Sequence, residues 1–210
     1  VGANAGVFTI AASQWVGSQG LVVSFEPSSR EYKLLEENIG LNHLANVRLE
    51  KTAISNESGL GMLQIAVDKH NGQNTLCQEF AYENVRSGVV ESVDLVTLDK
   101  YVNDHGISRL DLIKIDVEGA ELRAFQGAEN TLKTLRPALI FEIVKSALKK
   151  NGIDSEEIES FLVQRNYKLF SIDEETAHLV PTRLSEMRDG NAVALPSENI
   201  AYPILGLTQD

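Results

Sequence analysis

The chain opens on Gly2-Ala3-Asn4-Ala5-Gly6, two glycines one turn apart, followed by the helix-compatible run Val7-Phe8-Thr9-Ile10-Ala11-Ala12. Glycines at the turn into a helix let backbone approach a ligand closely, because no Cβ stands in the way. The spacing departs from the dinucleotide fingerprint, whose third glycine lies three residues past the second; Thr9 stands there instead. A pyrophosphate also wants several free helix-start N–H groups aimed at it. The shorter G-x-N-x-G loop suits a ligand without phosphates, such as S-adenosylmethionine, whose amino-acid tail can meet the loop. The plain alternative is a tight strand-to-helix turn.

The remaining candidates are mostly acids. Glu26 directly follows the apolar run Leu21–Phe25, about 20 residues past the glycine loop, where a strand-end carboxylate accepts hydrogen bonds from both hydroxyls of a ribose. Asp116, Glu118 and Glu121 belong to Asp111-Leu112-Ile113-Lys114-Ile115-Asp116-Val117-Glu118-Gly119-Ala120-Glu121, which reads as a buried strand that turns sharply at Gly119 into a helix. Asp116, at the strand end, is expected to face cofactor or acceptor. Glu118 and Glu121 also have an ordinary explanation, since acids favour a helix N-terminus. Glu142 interrupts the apolar run Ala138–Ile143, where a carboxylate is seldom fully buried without a partner, and it can line the same crevice from the next strand. Paired carboxylates raise one another's pKa, and one of them could then take a hydroxyl proton. Among His43, His70, His105 and His178, only His70, in the polar stretch Asp68 to Thr75, is a candidate general base. No metal site is expected, because neither histidine spacing nor a cysteine cluster suits one.

Such side chains need strands and helices to hold them. Five apolar runs, Leu21–Phe25, Val47–Leu49, Leu110–Ile115, Ala138–Ile143 and Tyr167–Ile172, are near-continuous, as in strands buried on both faces of a parallel sheet. Between them, helical periodicity marks Ser28 to Ile39, with Ser29 as its cap, Glu121 to Leu135, and Asp154 to Gln164. The alternation predicts a doubly wound α/β fold in a single domain, 1–210. A polar insertion at about 58–96 breaks the rhythm: Gly59 to Val67 and Val89 to Val96 are candidate extra strands, and the stretch is either a lid or acceptor-binding segment at the ligand crevice or an ordinary surface hairpin. Ala177–Thr182 and Asn191–Pro196 are expected to close the sheet.

The chain has 210 residues, 43% of them apolar, and a net charge of −11. No clustered Lys and Arg supply a footprint for a nucleic-acid backbone, so no nucleic-acid partner is expected, and no apolar run reaches the length of a membrane span. The single cysteine, Cys77, can form no internal disulfide, which suits a reducing cytoplasm.

Taken in order, VGANAGVFT, FEP, LVTLDKYV, DLIKIDVEGAE and LIFEI resemble the FkbM family of methyltransferases, from Val1 to about Ile143. The resemblance implies a class I methyltransferase, Rossmann-like sheet, mostly parallel with one antiparallel strand near the C-terminal end. It implies S-adenosylmethionine as cofactor and a hydroxyl oxygen of a small molecule or carbohydrate as methyl acceptor. Carried onto this chain, it places Gly2, Ala3, Asn4 and Gly6 at the methionine and ribose end, with Glu26 of Glu26-Pro27 on the ribose. Thr52-Ala53-Ile54-Ser55 falls at the adenine, and Asp116, Val117 and Glu118 beside the methyl group. Asp116, Glu118, Glu142 and His70 are then the candidates to remove the acceptor proton.

The sequence departs from the family pattern at its start. There the glycine loop follows a central strand, which is not present before Val1, and Val1 is not an initiator methionine. Either the sequence is a fragment, or another segment or a second subunit of a homo-oligomer fills the gap. Two rival readings stay open: a methyltransferase-like binding domain without turnover, and a nicotinamide-dependent oxidoreductase, which Thr9 disfavours.

Overall fold

The computed structural model describes residues 1–70, 72–173 and 175–199. In chain order the elements are α1 (Val7–Val16), β1 (Val22–Phe25), α2 (Ser29–Leu41), β2 (Val47–Glu50), β3 (Ala53–Ile54), β4 (Gly59–Ala66), β5 (Arg86–Val96), α3 (Leu98–Asp104), β6 (Leu112–Ile115), α4 (Glu121–Gln126), α5 (Glu129–Thr134), β7 (Ala138–Ile143), α6 (Lys145–Lys150), α7 (Ser155–Val163), β8 (Tyr167–Ile172), β9 (Leu179–Pro181) and β10 (Gly190–Pro196). The five apolar runs are therefore β1, β2, β6, β7 and β8, and the insertion supplies β4 and β5. Asn71 of the polar stretch and residues 200–210 of the expected domain lie outside the described residues.

β1 and β2 pair in parallel, as do β6 and β7. β10 enters antiparallel between β7 and β8. Two further strands also run antiparallel: β9 on the edge beside β8, and β4 against β5, which itself pairs in parallel with β3. A short connection such as that from β8 to β9 can only return the chain antiparallel. The main core lies on β6, β7 and β10, where Ile113, Ile115, Leu139, Phe141 and Ala192 meet Leu122, Phe125, Leu132, Ile158 and Leu162 of α4, α5 and α7. Phe125 and Phe141 meet edge to face with centroids 5.1 Å apart.

Two details differ from the sequence expectation. Ser28, not Ser29, is the N-cap of α2; its hydroxyl donates to the Glu31 carboxylate rather than capping a backbone N–H. The helix expected over Glu121 to Leu135 is two helices, α4 and α5, broken at Gly127. A Cβ on Gly127 would come 1.9 Å from the carbonyl oxygen of Ser55, so the backbones touch there. The second helix start is satisfied from α3: the Asp99 carboxylate accepts from the backbone N–H of Asn130 (2.8 Å) and Thr131 (2.7 Å). Asp154 opens α7 with the capping box its sequence signals.

Among the described residues no strand lies between β1 and β6, each of which pairs on one side only. At their carboxyl ends the segment Val1–Ala3 links them. The Val1 nitrogen donates to the Lys114 carbonyl (2.8 Å) and the Val1 carbonyl accepts from Asp116 N (3.2 Å), while Gly2 N and Ala3 N both donate to the Phe25 carbonyl at 3.0 Å. No helix among the described residues is long and apolar enough to cross a membrane.

Candidate functional site

The carboxyl ends of β1 and β6, with the turn into α1 between them, form one wall of a crevice lined by Gly2, Asn4, Glu26, Pro27, Asp116 and Val117. The segment after β2 contributes Thr52, Ala53 and Ile54, and the insertion contributes Leu63, Gly72, Asn74 and Leu76. Counting the open space at its mouth, the crevice encloses about 590 Å³. Four residues of the insertion therefore belong to the crevice lining.

Glu26 is 5% exposed, and each of its oxygens is engaged by backbone: Oε2 accepts from Asn4 N (2.8 Å) and Oε1 from Ser28 N (3.0 Å). Burial pushes its pKa up to about 7, against the pull of those two N–H groups. Each oxygen keeps a further lone pair, which is what a vicinal diol requires.

The glycine loop works differently from its sequence reading. Gly2 adopts φ 72°, and a Cβ there would sit 1.8 Å from the Asp116 carbonyl oxygen, so it is the end of β6 that excludes a side chain. A Cβ on Gly6 would come 2.6 Å from Leu35 Cδ1; this glycine lets α1 start against α2 and does not line the crevice. Ala3 is not in the lining either, its carbonyl accepting from Gly6 N at 2.9 Å. Thr9, at the place of a third dinucleotide glycine, is buried with its hydroxyl 2.8 Å from that of Ser24.

The acids after β6 gather with Glu142 of β7. Asp116, Glu118 and Glu142 each place a carboxylate oxygen within 4.8 Å of the others. Lys114 Nζ contacts Asp116 Oδ2 at 2.7 Å and stands 4.3 Å from the centroid of the Phe8 ring. Burial, then the charges of Asp116 and Glu142, push the Glu118 pKa up to about 8. Burial and the neighbouring Asp116 also raise that of Glu142. Oxygens at this spacing can share a proton or hold a hard cation, a cluster that no local spacing in the sequence signals. Glu121 turns inward, 3% exposed, its Oε1 accepting from Val117 N and Gly119 N at 3.2 Å each; it braces the turn. His70 lies in a short 3-10 turn, Asp68–His70, and is not part of the crevice lining.

Sequence reading missed Glu31 and Asn74. Glu31 is 1% exposed; it accepts from Arg30 Nε (2.6 Å) and from Asn74 Nδ2 (2.9 Å), and Asn74 Oδ1 accepts from Ala66 N (2.8 Å). Arg30 also reaches Asp68 Oδ1 at 2.6 Å. The start of α2 thereby stitches the insertion against the crevice. The charge-rich Ser-Arg-Glu after Pro27 is no stronger a signal than any helix start.

The donor set fits S-adenosylmethionine. Glu26 suits a ribose, Ile54, Leu63 and Leu76 offer apolar surface to a base, and Asp116 brings a carboxylate to the lining.

Comparison with known proteins shows the family. The family described as Methyltransferase FkbM domain matches residues 1–169. The chain is 26% identical to Methyltransferase sdnD of Sordaria araneosa, over 73% of this chain and 71% of that one. It is 23% identical to Methyltransferase 1 of Beauveria bassiana (strain ARSEF 2860), over 69% of this chain and 63% of that one. Its structure resembles the crystal structure of Methyltransferase FkbM from Methylobacillus flagellatus KT, with TM-score 0.54 at 17% identity, covering 92% of this chain and 41% of that chain. The chain thus spans less than half of that solved protein. The fold is class I methyltransferase, Rossmann-like α/β.

Proposed function

The chain belongs to the FkbM methyltransferase family, and on that basis we propose that it carries out S-adenosylmethionine-dependent methyl transfer to a hydroxyl oxygen of a small molecule or sugar. One observation carries the reading: Glu26 at the end of β1 and Asp116 at the end of β6 line the same crevice, across the turn that opens α1. Glu26 would hold the ribose, and Gly2 and Asn4 the amino-acid end. Pro27, Ala53 and Ile54 would bound the base, and Val117 would flank the sulfonium side. Bound there, S-adenosylmethionine supplies an electrophilic methyl group.

Methyl transfer needs chiefly an in-line approach of acceptor oxygen to methyl, so positioning supplies much of the rate. The chain's own proton chemistry falls to the Asp116, Glu118 and Glu142 cluster. Asp116 is held by Lys114, whereas Glu118, whose affinity for a proton is raised by burial and by its acidic neighbours, is a stronger base than an ordinary carboxylate and is suited to accept the hydroxyl proton as pH rises towards 8. His70, which is not part of that acidic cluster, is set aside as the base.

The test is titration calorimetry with S-adenosylhomocysteine, repeated with Glu26→Ala and with NAD in place of the nucleoside. Saturable binding weakened at least about tenfold by the substitution, a difference of roughly 1.4 kcal/mol, is expected. NAD should give no heat. Binding of NAD in preference to S-adenosylhomocysteine would overturn the reading in favour of the nicotinamide alternative.

A further inference from the structure

Glu118 stands in an unusual backbone state. Its φ is 53° and that of the following Gly119 is 96°, so two successive residues turn left-handed directly after β6. A non-glycine residue in that region is strained and persists only where its surroundings impose it. One side of the turn is held by Glu121, within the same local segment. The other side is held from far away. Thr75, 1% exposed on the β4–β5 connection, donates from Oγ1 to the Glu118 carbonyl at 2.8 Å, across 43 residues of sequence.

The Thr75 hydroxyl is engaged both as donor and as acceptor. It accepts from Cys77 N at 3.1 Å while donating to Glu118. Its backbone is fixed as well: Thr75 N donates to the Gln64 carbonyl (3.1 Å) and Gln64 N to the Thr75 carbonyl (2.8 Å), so the residue is bridged to β4. Its neighbours Asn74 and Leu76 both line the crevice. The strand of insertion that covers the crevice and the turn that carries the acid are therefore joined at one hydroxyl.

We propose that Thr75 is a positioning residue for Glu118: from the insertion it locks the left-handed turn that presents the Glu118 carboxylate to Asp116 and Glu142, so that seating the insertion over the crevice also sets the acid. The proposal rests on the methyl-transfer reading for the purpose of that acid, while the contact itself does not. Freed of this bond, the turn relaxes to an ordinary conformation and the carboxylate moves toward water. The charged groups around Glu118 are Asp116 and Lys114 of the β6 end, Glu142 of β7 and Glu121 of α4.

The experiment reads Glu118 directly and needs no methyl acceptor. The protein is labelled with 13C-carboxyl glutamate, the Glu118 resonance is assigned with Glu118→Gln, and its titration is followed in the parent, Thr75→Val and Thr75→Ser. The expected result is a Glu118 midpoint near 8 in the parent, a fall of about one pH unit or more in Thr75→Val, and parent-like titration in Thr75→Ser. A folded Thr75→Val that titrates like the parent overturns the proposal. So does a Thr75→Ser that shifts, and that variant decides the matter where Thr75→Val does not fold. Calorimetry of the parent with S-adenosylhomocysteine runs alongside: silence there sinks the methyl-transfer reading, whereas the Glu118 titration tests the positioning role separately.

Discussion

Glu26 Oε2 accepts a hydrogen bond from the backbone N–H of Asn4 at 2.8 Å, which ties the acid at the end of β1 to the turn that opens α1. The same carboxylate accepts from Ser28 N through its other oxygen, at 3.0 Å. A residue placed to hold a ligand therefore also holds its own walls together.

That double role separates two substitutions. Glu26→Gln keeps the shape but turns an amide NH₂ toward one of the two backbone N–H groups, leaving a buried donor unsatisfied at about 1–3 kcal/mol. The thermal midpoint is expected to fall by several degrees, together with a loss of S-adenosylhomocysteine affinity. A Glu26→Gln protein as stable as the parent in a melting experiment would show that the two N–H contacts do not matter.

Stability should depend on pH in an uncommon direction. Glu26, Glu118 and Glu121 have folded pKa values raised to about 7, 8 and 7 from an ordinary 4.5, chiefly by burial. Each binds its proton more tightly folded than unfolded. Protonation therefore favours folding, and that stabilisation is lost as pH rises from about 4.5 through 7 to 8. Partial relief of the net charge of −11 acts in the same sense. The melting temperature is expected to be higher at pH 6 than at pH 8.5, and Glu118→Gln should flatten that slope by about 5 °C or more. A midpoint that rises with pH across this window would contradict these burial assignments.

The two glycines of the first loop should differ in their tolerance. In Gly2→Ala the new methyl meets a backbone carbonyl at 1.8 Å, and neither the end of β6 nor the loop can yield without breaking the Val1–Ala3 link. In Gly6→Ala it meets the tip of Leu35 at 2.6 Å, which can turn aside. Chemical denaturation should show a loss of about 1–3 kcal/mol for Gly6→Ala and a larger one for Gly2→Ala. The reverse order would mean that α1 packing, not the β6 contact, governs this loop.

Asp99→Ala serves as a contrast, because it is remote from the crevice lining. It removes the acceptor for Asn130 N, Thr131 N and the Thr131 hydroxyl at the start of α5. Stability should drop by about 1–2 kcal/mol, as for loss of a helix cap, with S-adenosylhomocysteine affinity unchanged in calorimetry.

Much of the scaffold follows from local pattern. Continuous apolar runs such as Ala138–Ile143 must be buried on both faces, so β1, β2, β6, β7 and β8 are legible without coordinates. Glu26 and Asp116 are legible for the same reason: a carboxylate directly after such a run sits where the strand leaves the core. Of the residues expected around the cofactor, Gly2, Asn4, Glu26, Pro27, Thr52, Ala53, Ile54, Asp116 and Val117 line the crevice, whereas Ala3, Gly6, Ser55 and Glu118 are not in its lining.

What the sequence by itself determined is thus the order of strands and helices and the acids at their carboxyl ends, because burial and strand period act within a few residues of one another. Only the tertiary structure decided which acids meet and what holds them. Glu142 joins Asp116 and Glu118 because β7 pairs beside β6 in register. Gly6, whose φ of 96° itself favours glycine, is also a packing glycine because Leu35 of α2 arrives against it. Thr75 reaches Glu118, and Asn74 reaches Glu31, because the insertion folds back over the crevice. Each of these contacts spans tens of residues and depends on how separate elements dock, a geometry that short-range periodicity does not encode.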